Sequence, residues 1–175
     1  MNKSKEGRGS SGINILWPIT SNKHYKEALK KAKNGESPNN ISPIVKYSRK
    51  GSASIIWMGD LETDFMESVK DAITMDAANI LFAPHHGRDS GKVPRGWLDE
   101  MDPQLVIIGE APSKHLNYYG GYDTITQNSA GDITLECVEE MVHIYVSAKD
   151  YAVDFLSDEG MPDNRHGYYL GTLFL

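Results

Sequence analysis

Cys137 is the only cysteine among the 175 residues. A single thiol excludes an internal disulfide framework and a multi-cysteine zinc site, and it suits a reducing compartment. Long apolar runs are also missing, and none approaches the roughly 20 residues that a helix needs to cross a bilayer. Cations are in the minority, with 18 Lys and Arg against 24 Asp and Glu. The net charge of −6 repels a phosphate backbone over the surface as a whole, so a nucleic-acid partner would need a local basic groove. Near the start, Lys3, Lys5 and Arg8 precede only the short apolar stretch Ile13 to Trp17, with no small-residue cleavage pattern. We therefore expect a soluble, cytoplasmic chain without a membrane partner.

What is present suits one domain with a substantial core: 39% apolar residues, 24% charged residues and 16 glycines. Residues 1–12 are polar and rich in Ser, Gly and Lys, which predicts a disordered start, and residues 13–175 form the folded unit. Ile13 to Trp17 alternates as a strand and stops at Pro18. Tyr25, Ala28, Leu29 and Ala32 share a face of a helix that Asn22 can cap and Gly35 can end. Ile44–Ser48 and Ala53–Met58, joined by Arg49-Lys50-Gly51-Ser52, predict a hairpin. The spacing of Phe65, Met66, Val69 and Ile73 predicts an amphipathic helix from Glu62 to about Met75.

Ile80 to Phe82 and Leu105 to Ile108 are continuous apolar runs, the pattern of strands buried on both faces. Between them, Trp97, Leu98 and Met101 suggest a short helix. Glu110 to Tyr122 reads as irregular. Ile133, Leu135 and Cys137, then Val142, Ile144 and Val146, alternate around a Glu139-Glu140 turn as a second hairpin, and Tyr168 to Leu175 is a candidate last strand. Hairpins together with buried runs followed by helices predict an α/β architecture of sheet layers covered by helices.

Two of these runs end in chemistry. Ser54 to Met58 gives way to Gly59-Asp60, and Ile80 to Phe82 gives way to Ala83-Pro84-His85-His86-Gly87. Neighbouring strands would thus deliver a carboxylate and an imidazole to one rim, where ligands of helix-covered sheets usually sit. Plainer roles stand beside these. Asp60 can cap the following helix, and His85 and His86 can be loop residues. His143, mid-strand among apolar neighbours, reads as structural, His24 and His166 as solvated, and Cys137 as core. The lysines from Lys23 to Lys33 form a basic face of the kind that is usually solvated. Tyr118-Tyr119 beside Lys114 could stack on a base or sugar, or pack in the core.

The segments Ile15-Leu16-Trp17-Pro18, Asn39-Asn40-Ile41-Ser42-Pro43-Ile44-Val45, Gly59-Asp60-Leu61-Glu62 and Ala83-Pro84-His85-His86-Gly87 resemble, in order and spacing, the second half of a metallo-β-lactamase-fold hydrolase. The likeness is to the branch typified by the soluble domain of ComEC-type DNA-uptake proteins. It runs from about Ile13 to Val146 and includes the turn Ser129-Ala130-Gly131-Asp132-Ile133. The resemblance implies an αββα sandwich, of which this chain is only the C-terminal half, with one or two metal ions in a cleft. Those ions would be zinc, with manganese as an alternative. Asp60 would bridge the metals, His86 would be a ligand, His85 would support or share that role, and His115 would face the substrate. Imidazole and carboxylate suit zinc, which lowers the pKa of a bound water enough to attack a phosphoryl or carbonyl centre near neutral pH.

One departure from the family is large. The His-x-His-x-Asp-His cluster of the family's first half is absent, because the remaining histidines, His24, His115, His143 and His166, do not have that spacing. A lone half would also leave one sheet face uncovered. A partner is therefore expected, either a complementary N-terminal half-domain chain or a second copy in a homodimer. Two functions follow. One is a metal-dependent hydrolase of a phosphodiester or related ester, active once the missing half supplies its ligands. The other is a catalytically inactive, metal-free binding or assembly module on the same scaffold. DNA is suggested only through kinship with uptake proteins.

Overall fold

A computed structural model describes residues 11–175. The expected disordered start at 1–12 therefore lies outside the described residues except for Ser11 and Gly12, and the Gly12 carbonyl accepts a hydrogen bond from the Ser48 amide at 2.8 Å.

Strand β1 (Ile13–Trp17) leads to helix α1 (Lys23–Lys33), where the Asn22 side chain caps by accepting from the His24 amide at 2.8 Å. Strands β2 (Ile44–Ser48) and β3 (Ser54–Trp57) form the expected antiparallel hairpin. Helix α2 (Thr63–Val69) is shorter than its periodicity predicts. After a 3₁₀ turn at Lys70–Ala72 the chain is extended, and Ile73 and Met75 are buried by alternation along it rather than by helical spacing. Strand β4 (Ile80–Phe82), helix α3 (Arg95–Met101) and strand β5 (Leu105–Ile108) fall where the apolar runs place them. Strand β6 (Asp123–Thr126) and the single turn α4 (Gln127–Ala130) are absent from the sequence reading. In β6 only Ile125 is buried, so no alternation betrays it, and its pairing with β5 defines it.

The six strands form one sheet in the order β1-β2-β3-β4-β5-β6, antiparallel through β3 and parallel from β3 onward. Strands β7 (Ile133–Val138), β8 (Met141–Val146) and β9 (Tyr168–Phe174) make a second, antiparallel sheet. The architecture is mixed α/β with two sheets and several helices. Among the described residues, no helix is long and apolar enough to cross a membrane.

The large sheet has an apolar cluster on each face. On one face Ile44, Ile56, Met58, Leu81, Val106 and Ile108 join Met66 and Val69 of α2 and Trp97, Leu98 and Met101 of α3. On the other, Ile55, Ile80, Leu105, Ile107 and Ile125 join Val142, Ile144, Val146 and Leu173 of the small sheet. Strand registers align two rows on this second face: Ile13, Tyr47, Ile55, Ile80 and Leu105, and Ile15, Val45, Trp57, Phe82, Ile107 and Ile125. Three strands cannot roof six. Ile80, Leu105 and Ile125 are fully buried, whereas Ile13 is 58% exposed and Ile15 65% exposed. Among the described residues, the apolar overhang on this face is therefore bare at Ile13 and Ile15 of β1, with Val45 and Tyr47 of β2 and Trp57 of β3 part-buried beside it.

Candidate functional site

The C-terminal ends of β3, β4 and β5 meet at one rim, and a cavity of about 280 Å³ opens there. Its floor includes Trp57, Phe82, Ile107 and Ile133, and its mouth carries Asp60, His86 and Gln127. Trp57 and Phe82 are register partners on β3 and β4, and their rings stack with centroids 5.0 Å apart and planes 19° from parallel.

Asp60 reaches the mouth because the chain turns sharply after β3. Gly59 has φ +55°, and a Cβ there would lie 2.7 Å from the Ser42 Cβ. The Ser42 hydroxyl accepts from the Asp60 amide at 3.1 Å. The Asn39 and Asn40 side-chain amides donate to the Glu62 carboxylate at 3.2 and 2.8 Å, and the Glu62 backbone amide donates back to the Asn40 side-chain Oδ1 at 3.1 Å. The Asn39–Ser42 segment therefore clamps the Gly59–Glu62 turn. Helix α2 begins after Glu62, with no side-chain cap bond, so Asp60 is not its cap and its carboxylate is left to face the cavity.

His86 arrives by a different distortion. Pro84 ends the β4 pairing, and His85, His86 and Gly87 take φ of 49°, 59° and 82° in succession. Left-handed backbone at two histidines costs of order 1–3 kcal/mol each and persists only where the surroundings enforce it. Three contacts do so here. The His85 amide donates to the Gly59 carbonyl at 2.8 Å, which ties the two site turns together. A Cβ at Gly87 would lie 2.6 Å from Ile108 Cγ2, and one at Gly91 would lie 2.5 Å from the His85 Cβ. Beyond β5, Gly109 lets the strand end pass His86, whose Nδ1 would be 3.1 Å from an added Cβ.

The structure brings Asp60 and His86 together, with His86 Nε2 3.7 Å from Asp60 Oδ1 and both side chains about half exposed. Two donors on one tetrahedral zinc stand about 3.3 Å apart, so the pair is close to shared-ligand spacing. It does not bring His85 or His115 to the cavity. His85 Nδ1 is 2.9 Å from the Ser90 hydroxyl, on the loop behind the rim. His115 Nε2 lies 3.3 Å from Asp89 Oδ2, in a side chain only 15% exposed. Asp89 also meets Lys92 at 3.0 Å, and this hydrogen bond, followed by the charge of His115, holds its carboxyl below the usual range. Tyr119 is buried, burial pushes its phenol well up, and the Tyr118 hydroxyl donates to the Val93 carbonyl at 2.7 Å. The tyrosine pair therefore packs inside, away from the cavity. His143 is buried against the Thr172 hydroxyl at 2.7 Å, as its strand position predicts.

Among the described residues, no group of three His, Cys, Asp or Glu side chains could hold a metal ion. Asp60 and His86 supply two donors, and a catalytic zinc needs about three plus an open position, so this chain's residues do not make up such a site by themselves. The lining contains no Lys or Arg, and Asp60 is its one carboxylate. A phosphodiester placed there would meet the Asp60 carboxylate with only the His86 imidazole beside it. Reading the sequence missed the aromatic floor of Trp57 and Phe82, the clamp from Ser42 and the clearance at Gly109. Only the small residues after each strand, Gly59, Gly87 and Gly109, hinted at close approaches there. No protein-family model matches this chain, and no curated protein sequence matches it significantly.

Proposed function

We propose that this chain is a binding and assembly module, built on the C-terminal half of a metallo-β-lactamase-like αββα scaffold and acting in the cytoplasm. The observation that carries this reading is the overhang. Ile13 and Ile15 are 58% and 65% exposed on the same sheet face whose other residues form a core, which is how a surface awaiting a partner looks. The incomplete donor set and a cavity lining without Lys or Arg support binding over catalysis by this chain alone. The test combines dye and metal. Purified protein kept dilute, at about 1 μM, should bind the apolar dye ANS and, after dialysis against zinc or manganese and then buffer, retain well under one equivalent of metal. Stoichiometric zinc that is lost in both Asp60→Ala and His86→Ala, in a protein that excludes the dye, would overturn the reading.

The second reading is a hydrolase of a phosphodiester or related ester, completed when a complementary N-terminal half adds the missing donors. The 3.7 Å approach of His86 Nε2 to Asp60 Oδ1 favours it. In that case Asp60 and His86 are metal ligands, and His85 and His115 hold the loops behind them. Zinc should then be retained only in a mixture with that half, and Asp60→Ala should abolish both retention and hydrolysis. Zinc retention unaffected by Asp60→Ala would sink this reading.

A further inference from the structure

We infer that the occupant of the overhang is a second copy of this chain, related by a twofold axis that runs along the strands. The inference rests on the assembly reading and adds its geometry. A six-stranded layer over a three-stranded layer is a step, and a step is complementary to itself when rotated about an axis lying between the layers. The overhang of each copy then packs face to face on that of the other, and each layer continues from the large sheet of one chain into the small sheet of its partner. The contact extends an interface that already exists. Tyr47, Trp57 and Phe82 are part-buried members of the core between the sheets, and the same rows run on without a break to Val45, Ile15 and Ile13.

Strand β7 borders the step. Ile133, at its start, shares the rim cavity with Trp57 and Phe82, and at its far end the Glu140 amide donates to the Gly51 carbonyl in the β2–β3 turn. Its only ladder partner among the described strands is β8, so its other edge is open to a new strand. In the twofold arrangement the strand that arrives there is β1 of the partner. β1 runs parallel to β3 through two antiparallel pairings, while β7 runs from the end of β3 back toward its start. An axis along the strands preserves direction, so the partner's β1 meets β7 antiparallel. Its Gly12 end then falls beside Val138 to Glu140.

Charge favours the same pairing. Asp132, Glu136, Glu139 and Glu140 lie along β7 and its turn, with no Lys or Arg from 132 to 142. The residues that lead into β1 carry Lys3, Lys5 and Arg8 against Glu6. The opposite net charges of the two segments favour association of two copies.

The test uses the full chain and its native Cys137. Light scattering coupled to size exclusion, from about 1 to about 100 μM, should show the mass doubling with concentration. Oxidised Ile13→Cys or Ile15→Cys protein should form an interchain disulfide, seen as a dimer band without reductant, and Cys137→Ser on either background should remove it. Ile15→Lys, at an exposed position, should shift the protein to monomer and leave its unfolding midpoint at about 1 μM unchanged. A dimer that neither new thiol crosslinks and that Ile15→Lys leaves intact overturns the proposed interface. A monomer throughout the range overturns the second copy. If that monomer binds ANS, the assembly reading stands with a different occupant, and if it excludes ANS, both fall.

Discussion

Along the row from Ile15 through Val45, Trp57, Phe82 and Ile107 to Ile125, one sheet face passes from 65% exposed at its first residue to fully buried at its last. The residue types hardly change along it, since both ends are isoleucine on a paired strand. What differs is the roof: β7, β8 and β9 lie over the parallel half and stop short of the hairpin half. Hydrophobic stabilisation follows area removed from water, so the same side chain contributes fully at one end and little at the other. The rim at the ends of β3 and β4 sits near the border between the two halves, and Ile133 of β7 joins Trp57 and Phe82 in lining its cavity.

The comparison breaks most directly in the core. Ile80→Ala, under the roof, should cost about 2–5 kcal/mol in urea unfolding, while Ile15→Ala in dilute protein should cost about 0.5 kcal/mol or less. Equal costs at low concentration would mean that the overhang is already covered within one chain. Trp57→Ala at the border should fall between them, at about 1–3 kcal/mol, because its ring is only part buried but stacks on Phe82.

Cys137 lies on β7, the strand at the edge of the three-stranded sheet. Burial pushes its thiol up, so at pH ~8 it should react with iodoacetamide several-fold more slowly than an exposed cysteine. If a second copy docks against β7, that protection should deepen as protein concentration rises; protection independent of concentration points to burial within one chain alone.

The smallest expected effect lies away from the border, at the loop behind the rim. The Asp89 carboxyl is held below its ordinary value of 3.8 by the Lys92 hydrogen bond, then by His115. A lowered carboxyl contributes stability that is whole above the unfolded value and is lost as pH falls through the folded one. Asp89→Asn should therefore flatten the acid limb of stability below about pH 4 and change the neutral plateau only slightly, because the group is exposed.

Most of the strands and helices were legible because local pattern decides them. Ile44–Ser48 alternates beside a glycine turn, Leu105–Ile108 is continuously apolar, and Asn22 caps α1. β6 was not legible, because Asp123-Thr124-Ile125-Thr126 has one buried residue and becomes a strand only through β5. The extent of α2 misled because Ile73 satisfies both helical spacing and, with Met75, alternation. At the site, Asp60 and the adjacent pair His85 and His86 could be read from the strand ends, and only the family resemblance favoured His86 of the two. The diversion of His85 to Ser90 could not be read, since consecutive left-handed residues aim adjacent side chains in directions that no spacing rule encodes, and neither could that of His115 to Asp89, a contact between segments far apart in sequence.

The sequence by itself determined that a carboxylate and an imidazole stand at the ends of neighbouring apolar runs, because strand length and turn residues are local properties. Only the tertiary structure decided which imidazole meets the carboxylate and which half of the sheet goes bare. The first depends on the left-handed turn that Gly59, Ile108 and Gly91 hold around His85 and His86, and the second on where the three-stranded sheet stops; both are properties of long-range packing.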